Sequence, residues 1–263
     1  EVRDKVIPAY MGLIKQADDQ MGRLFAYLEE TGRMQDTMVV VTSDHGDYLG
    51  DHWLGEKNLF HEPSIKVPLI IYDPRAQADA TRGSTCDALV EAIDLAPTFL
   101  ELAGGEPASH ILEGRSLTPW LHGETPDWRD YAIAEFDYST MPLSEKLGLE
   151  PRDARLFMVT DKRWKFMHAE GGLRPMLFDM ENDPSELVDL AKDDAHQEVI
   201  DLMYDRLLDW GLRMSQRITL SDAQIKAGRG KSGRKGILLG VYEADDVSAE
   251  VTVKYRGPVP QSD

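Results

Sequence analysis

Between residues 39 and 61 the chain reads VVVTSDHGDYLGDHWLGEKNLFH, an apolar run that stops at an Asp-His-Gly triplet. Asp44 and His45 place a carboxylate oxygen and an imidazole nitrogen side by side, and both are ligands for a divalent cation. Gly46 lets the backbone turn sharply behind them. Spacing alone leaves two readings open. Either the pair shares a metal ion, or Asp44 caps the next segment beside a partly buried His45. His52, Lys57 and His61 follow within sixteen residues of His45. Taken alone, Lys57 reads as a solvated lysine, and His52 and His61 either build a pocket or pack on its rim.

The elements around this stretch set its position. Tyr10, Leu13, Ile14, Ala17, Met21, Leu24 and Leu28 recur at helical spacing, which predicts an amphipathic helix over residues 10–31 stopped by Gly32. Val39-Val40-Val41 and the run from Val67 to Ile71 are uninterrupted apolar segments. Such runs suit strands buried on both faces, as in a parallel sheet covered by helices. Asp94 opens a further helix that Gly104-Gly105 ends. Together these indicate an α/β layer, in which ligands gather beyond the carboxyl ends of strands, where Asp44 and His45 sit.

From about residue 130 the texture changes. YAIAEFD, RLFMVTD, RWKFMHA and PMLFDM are short runs between turn-forming or charged residues, the pattern of an antiparallel sheet. A helix over about 195–214 carries Val199, Met203, Leu207, Trp210 and Met214 on its buried side. Three regions are expected: an α/β core over 1–125, a smaller sheet-plus-helix subdomain over 126–215, and an arm or hairpin over 216–263. Glu135 and Asp137 read as solvated acids at a strand end. The basic cluster at 229–235 lacks the Gly-Lys-Ser/Thr ending of a nucleotide loop and reads as an exposed segment.

With 263 residues, a formal charge of −18 and 42% hydrophobic residues, the composition is that of a globular protein. The acidic balance argues against nucleic-acid binding. It leaves room for a small anionic substrate, because a local cation overrides a distant field. No run approaches the roughly 20 apolar residues of a membrane span. The single cysteine, Cys86, excludes an internal disulfide and points to a reducing, cytoplasmic setting, with the periplasm left open. The N-terminus has neither a starting methionine nor a signal-like apolar run, so the chain is expected to begin within a longer protein.

The segment TMVVVTSDHGDYLGDHWLGEKNLFHEPSIKVPLIIYDP, residues 37–74, resembles the second metal-ligand segment of the sulfatase and phosphonate monoester hydrolase families, members of the alkaline phosphatase superfamily. QADDQMGRLFAYLEETGRMQDT is similar to the helix before that strand, and EAIDLAPTFLELAG to the helix after the next one. WKFMHAEGGLRPMLFDMENDPSELVDLA resembles the family's C-terminal sheet. The resemblance runs over roughly residues 8–214, with the motifs in order. It implies part of an alkaline-phosphatase-like α/β sandwich, a mixed sheet with flanking helices, plus a smaller C-terminal α+β subdomain with an antiparallel sheet.

By the same resemblance, Asp44 and His45 correspond to the pair that binds the active-site metal, one divalent ion such as calcium or manganese. Lys57 matches the lysine that contacts the transferred sulfate or phosphonate oxygens, both as substrate ligand and as catalytic group. The family's nucleophile is a formylglycine made in a Cys-x-Pro-x-Arg type motif. Cys86, in TCDALVEA, does not fit that motif and no serine here does. The first pair of metal aspartates and a leaving-group histidine also belong to a part absent from this sequence. The expectation is therefore the C-terminal half of a hydrolase of sulfate or phosphonate/phosphate esters, inactive alone. Its partners would be a missing N-terminal half and other subunits held through the arm. Two alternatives stand beside it: a two-metal phosphatase or mutase of the same superfamily, and a non-catalytic binding or scaffold module.

Overall fold

The computed structural model describes residues 3–213 and, beyond them, Ser221, Ala223, Gln224 and Ala227. In chain order come helix α1 (Arg3–Glu30), strand β1 (Val39–Thr42), the short helix α2 (Glu62–Ile65), strand β2 (Leu69–Tyr72), and helices α3 (Leu95–Leu102) and α4 (Thr118–Leu121). Then follow β3 (Ala132–Asp137), α5 (Pro142–Lys146), β4 (Arg155–Thr160), β5 (Trp164–Ala169), β6 (Met176–Asp179) and α6 (Gln197–Gly211). Residues 3–107 and 112–213 make one compact unit. Apart from the four positions just named, the expected arm and its 229–235 cluster lie outside the described residues. Among the described residues no helix is long and apolar enough to cross a membrane.

Helix α1 ends where Gly32 adopts a left-handed φ of 70°. Its apolar stripe is only partly used. Leu28 is buried, whereas Leu13, Ile14 and Leu24 are 64%, 48% and 53% exposed. The stripe has a core-facing period, but over most of its length no described residue packs on it.

The β1 and β2 runs pair antiparallel, Val39 opposite Tyr72 and Thr42 opposite Leu69. This corrects the parallel pairing expected from their β-branched character. Residue type reports how a strand is covered, not which way its neighbour runs, and here Ile70 remains largely exposed.

The expected antiparallel sheet is present, in the order β3-β4-β5-β6. Side chains alternate between its faces. Val159, Phe166 and Leu177 point to one face and form a core with Ile200 and Met203 of α6. Met158, Met167 and Phe178 point to the other and receive Phe60 from the segment after Lys57. One face thus carries a helix, and the opposite face supports the chemistry-bearing stretch. Met203 is fully buried. Met203→Ala is expected to cost about 2–5 kcal/mol of stability through lost burial and a cavity, measurable as a fall in the urea unfolding midpoint at unchanged slope.

Candidate active site

Asp44 and His45 lie two and three residues beyond the end of β1. Gly46 N–H donates to Ser64 O at 2.7 Å, which stitches the turn to α2. A Cβ on Gly46 would lie 2.0 Å from Pro63 O. Glycine is needed here for close backbone approach, not for the sharp turn that its residue type suggests.

The side chains then fall into place. The His45 backbone N–H donates to Asp44 Oδ1 at 3.0 Å. The second carboxylate oxygen, Oδ2, is 3.4 Å from His45 Nε2. His45 Nδ1 is 2.7 Å from Gly46 O, and Lys57 Nζ is 2.6 Å from His45 Nε2. A carbonyl can only accept and an ammonium can only donate, so the proton belongs on Nδ1 and the lone pair on Nε2. Desolvation pushes the Asp44 carboxyl upward, but the electrostatic influence of the neighbouring His45, backbone N–H donation and Lys57 outweigh it and hold the carboxyl below its ordinary value.

Lys57 returns to His45 because the intervening loop is closed at its neck. Tyr48 N–H donates to Glu56 O at 2.9 Å, and within the loop Gly50 N–H donates to Leu54 O at 2.9 Å. The tight path forces Leu49, His52, Trp53 and Glu56 to positive φ, between 47° and 58°. Left-handed backbone costs a non-glycine residue about 1–2 kcal/mol, so the loop depends on what surrounds it. Trp53 stands at its tip, 93% exposed.

His61 anchors the loop's base. It is buried, its Nδ1 lies 2.9 Å from the Tyr48 hydroxyl, and His52 stacks on it with ring centres 4.0 Å apart. Both histidines therefore build the floor of the loop and do not join Asp44 and His45 as ligands. Burial, with the charges of His52 and Lys165, pushes His61 down to about 4. Burial likewise pushes the Tyr48 phenol up to about 12. Glu135 and Asp137 lie elsewhere, at the end of β3, where Glu135 pairs with Arg155 at 3.6 Å.

Asp44 and His45 suit a hard or borderline divalent cation. Ligands 2.3–2.6 Å from such an ion and at right angles to each other stand about 3.3–3.7 Å apart, and the Oδ2–Nε2 separation of 3.4 Å falls in that range. The Gly46 carbonyl supplies the outer hydrogen bond that fixes a ligating imidazole's tautomer. Among the described residues no group of three or more His, Cys, Asp or Glu side chains could by itself hold a metal ion. The pair could supply only part of a shell.

The ion triad of Lys165, Glu62 and Glu186 beneath this loop went unrecognised in the sequence. Lys165 sits in an apolar strand, and its burial depends on a partner 103 residues away. Only the alternation within WKFMHA, which puts Lys165 on the face of Met167, hints at it.

His61 produces a specific pH dependence. Its folded pKa of about 4 lies below the ordinary 6.5. The neutral imidazole therefore contributes stability above pH 6.5, which is lost as pH falls through 6.5 toward 4. The full span is worth about 3 kcal/mol. His168, also lowered by burial, acts in the same direction. The diagnostic is the difference: His61→Phe should flatten the slope of unfolding free energy between pH 6.5 and 4.5 relative to the unsubstituted protein.

Comparison with known proteins places this geometry. Residues 2–105 match the sulfatase family model. The multifunctional alkaline phosphatase superfamily protein PehA of Trinickia caryophylli is 37% identical over 212 residues, which cover 79% of this chain and 40% of that protein. An arylsulfatase of Clostridium perfringens is 32% identical over 195 residues, 74% of this chain and 38% of the relative. Among solved structures, the phosphonate monoester hydrolase of Agrobacterium radiobacter aligns with a TM-score of 0.70 at 34% identity, covering 76% of this chain and 40% of that one. The chain spans about 40% of the length of these relatives. It belongs with the sulfatases and phosphonate monoester hydrolases of the alkaline phosphatase superfamily, and its fold is of their α/β class.

Proposed function

We propose that this chain supplies the metal-binding pair and the anion-facing lysine of a hydrolase of sulfate or phosphonate/phosphate esters. The remaining metal ligands, the nucleophile and most of the leaving-group pocket come from polypeptide outside it. The observation that carries the reading is the convergence of Asp44 Oδ2 and Lys57 Nζ on His45 Nε2, at 3.4 Å and 2.6 Å. What one bound divalent ion, calcium or manganese, supplies is polarisation of the ester oxygens and a lower pKa for the attacking oxygen.

Each residue of the chain has a defined part. Asp44 presents a carboxylate held in its charged form. His45 presents Nε2, its ring oriented by Gly46 O. Lys57 has three donor protons, and with a metal ion on His45 Nε2 that lone pair would be taken, so the ammonium would turn to the ester's non-bridging oxygens. Those oxygens gain negative charge as the bond to the leaving group breaks, and a fixed ammonium stabilises them more in the transition state than in the ground state. Cys86 is exposed and free, in keeping with a reducing, cytoplasmic setting. The open apolar stripe of α1 supports a further stretch of polypeptide packing there. Residues 216–263 are proposed as an arm between subunits of a homo-oligomer.

In the complete enzyme, Lys57→Met should lower kcat/KM by about 100-fold to 1,000-fold against whichever of aryl sulfate, aryl phosphonate monoester or phosphodiester is its best substrate. Asp44→Ala and His45→Ala should lose bound metal, read by elemental analysis. A Lys57→Met enzyme with unchanged turnover would sink this reading. One metal per active site supports the sulfatase-like arrangement, and two would favour the phosphatase-like alternative. Separately, deletion of residues 226–263 is expected to shift the complete protein to a smaller sedimenting species; unchanged sedimentation excludes the arm's role.

A further inference from the structure

Lys165 is the one lysine among the described residues with no solvent exposure. Its Nζ lies 2.6 Å from Glu62 Oε1 and 2.8 Å from Glu186 Oε1. The second oxygen of Glu186 accepts the Glu62 backbone N–H at 2.7 Å. Glu186 itself is held at a φ of 55°, a strained backbone that these contacts offset. Lys165 and Glu186 are thus packed away from water between β5, the loop after β6 and the start of α2, where they meet the half-buried Glu62, whose other oxygen pairs with the exposed Lys66 at 3.2 Å. Burying charges is costly, and replacing them by apolar groups is often neutral for stability. A gain other than stability is therefore to be sought in what the cluster touches.

Through Glu62 it reaches the chemistry-bearing stretch. Glu62 opens α2, and Ser64 in the same turn accepts the Gly46 N–H that fixes the Asp44–His45 turn. His61, one residue before Glu62, holds Tyr48, whose backbone N–H closes the neck that returns Lys57 to His45. Phe60 fastens the same segment to Met158, Met167 and Phe178 on the sheet. An apolar contact of this kind permits sliding, whereas charge-assisted hydrogen bonds define direction as well as distance.

We propose that Lys165 and Glu186 are positioning residues that lock α2 and the base of the Lys57 loop onto the C-terminal sheet, holding Lys57, Asp44 and His45 in facing register. The consequence for turnover rests on the hydrolase reading above; the mechanical part does not.

The test combines hydrogen exchange and steady-state kinetics on the complete protein carrying Lys165→Met, with Glu186→Gln as a second variant that keeps the acceptor for the Glu62 N–H and loses the charge. The Gly46 and Glu62 amides should exchange about tenfold faster or more, while the Val159 and Phe166 amides in the sheet keep their protection. Turnover should fall about tenfold to a hundredfold, as for a small misplacement of a catalytic group, with KM within about twofold. Unchanged Gly46 protection overturns the proposal. So does loss of Gly46 protection in step with the sheet amides, which marks general destabilisation. If the unsubstituted protein hydrolyses none of the three esters, the hydrolase reading fails while the exchange arm still decides the mechanical claim. If the exchange changes as expected but turnover in an active enzyme does not, the positioning role is refuted.

Discussion

The close approach of two backbone segments, Gly46 N–H to Ser64 O at 2.7 Å, is the constraint on which the candidate site depends. It joins the end of β1 to α2 across eighteen residues. That span contains the entire Lys57 loop, so the crossing closes a ring whose ends cannot drift apart. Within the ring, the Tyr48–Glu56 neck shortens the path again and delivers the ammonium to the imidazole. Since a Cβ at residue 46 would occupy the space of Pro63 O, the geometry is available only to glycine. The electrostatic arrangement of the site follows from a steric fact about the main chain.

A second theme is how a very acidic chain handles charges that it buries. Asp94 is fully buried and is held by a two-pronged contact from Arg129 together with the backbone N–H groups of Arg115 and Glu91. Asp73 is gripped by Arg75 and His122. Desolvation opposes its ionisation, but those contacts prevail and bring it to about 2. In each case a carboxylate at an element's end is met by a guanidinium close in sequence or in space, which fixes how loops leave the strand or helix. The Lys165 cluster differs. Its buried lysine meets two carboxylates, and its partners come from parts of the chain over 100 residues apart. Its members tie distant segments together instead of finishing a local turn.

The legible and illegible parts of this molecule divide along the same line of locality. The four strands after residue 130 could be read because hydrophobic alternation and turn chemistry are local signals. Asp44 and His45 could be read as a candidate pair because they are adjacent. The Lys57 role could not be read from its own surroundings. A lysine twelve residues from an imidazole faces it only through a neck hydrogen bond and four left-handed residues, none of which periodicity encodes. The antiparallel direction of β1 and β2 was hidden for a related reason, since direction is set by the path between strands. Lys165 itself carries no local sign of its burial. It is buried only because α2 lies on that face.

Long-range and short-range electrostatics at this site pull in opposite directions, and their magnitudes decide which prevails. A formal charge of −18 repels an anionic ester at a distance. At physiological salt, exposed charges are largely screened beyond about 8 Å, so most of the chain's carboxylates contribute little at the site. Close to the site Lys57 stands among carboxylates, and on the proposed reading a cation held by Asp44 and His45 would turn the local balance positive. On that reading, selectivity for anions would be a property of a few ångströms of structure. The same steepness explains why the support beneath the loop matters. Attraction between unit charges falls inversely with distance, and hydrogen-bond alignment falls faster still. An ammonium displaced by one or two ångströms would keep most of its attraction for an ester while losing its aim at the oxygens where charge develops.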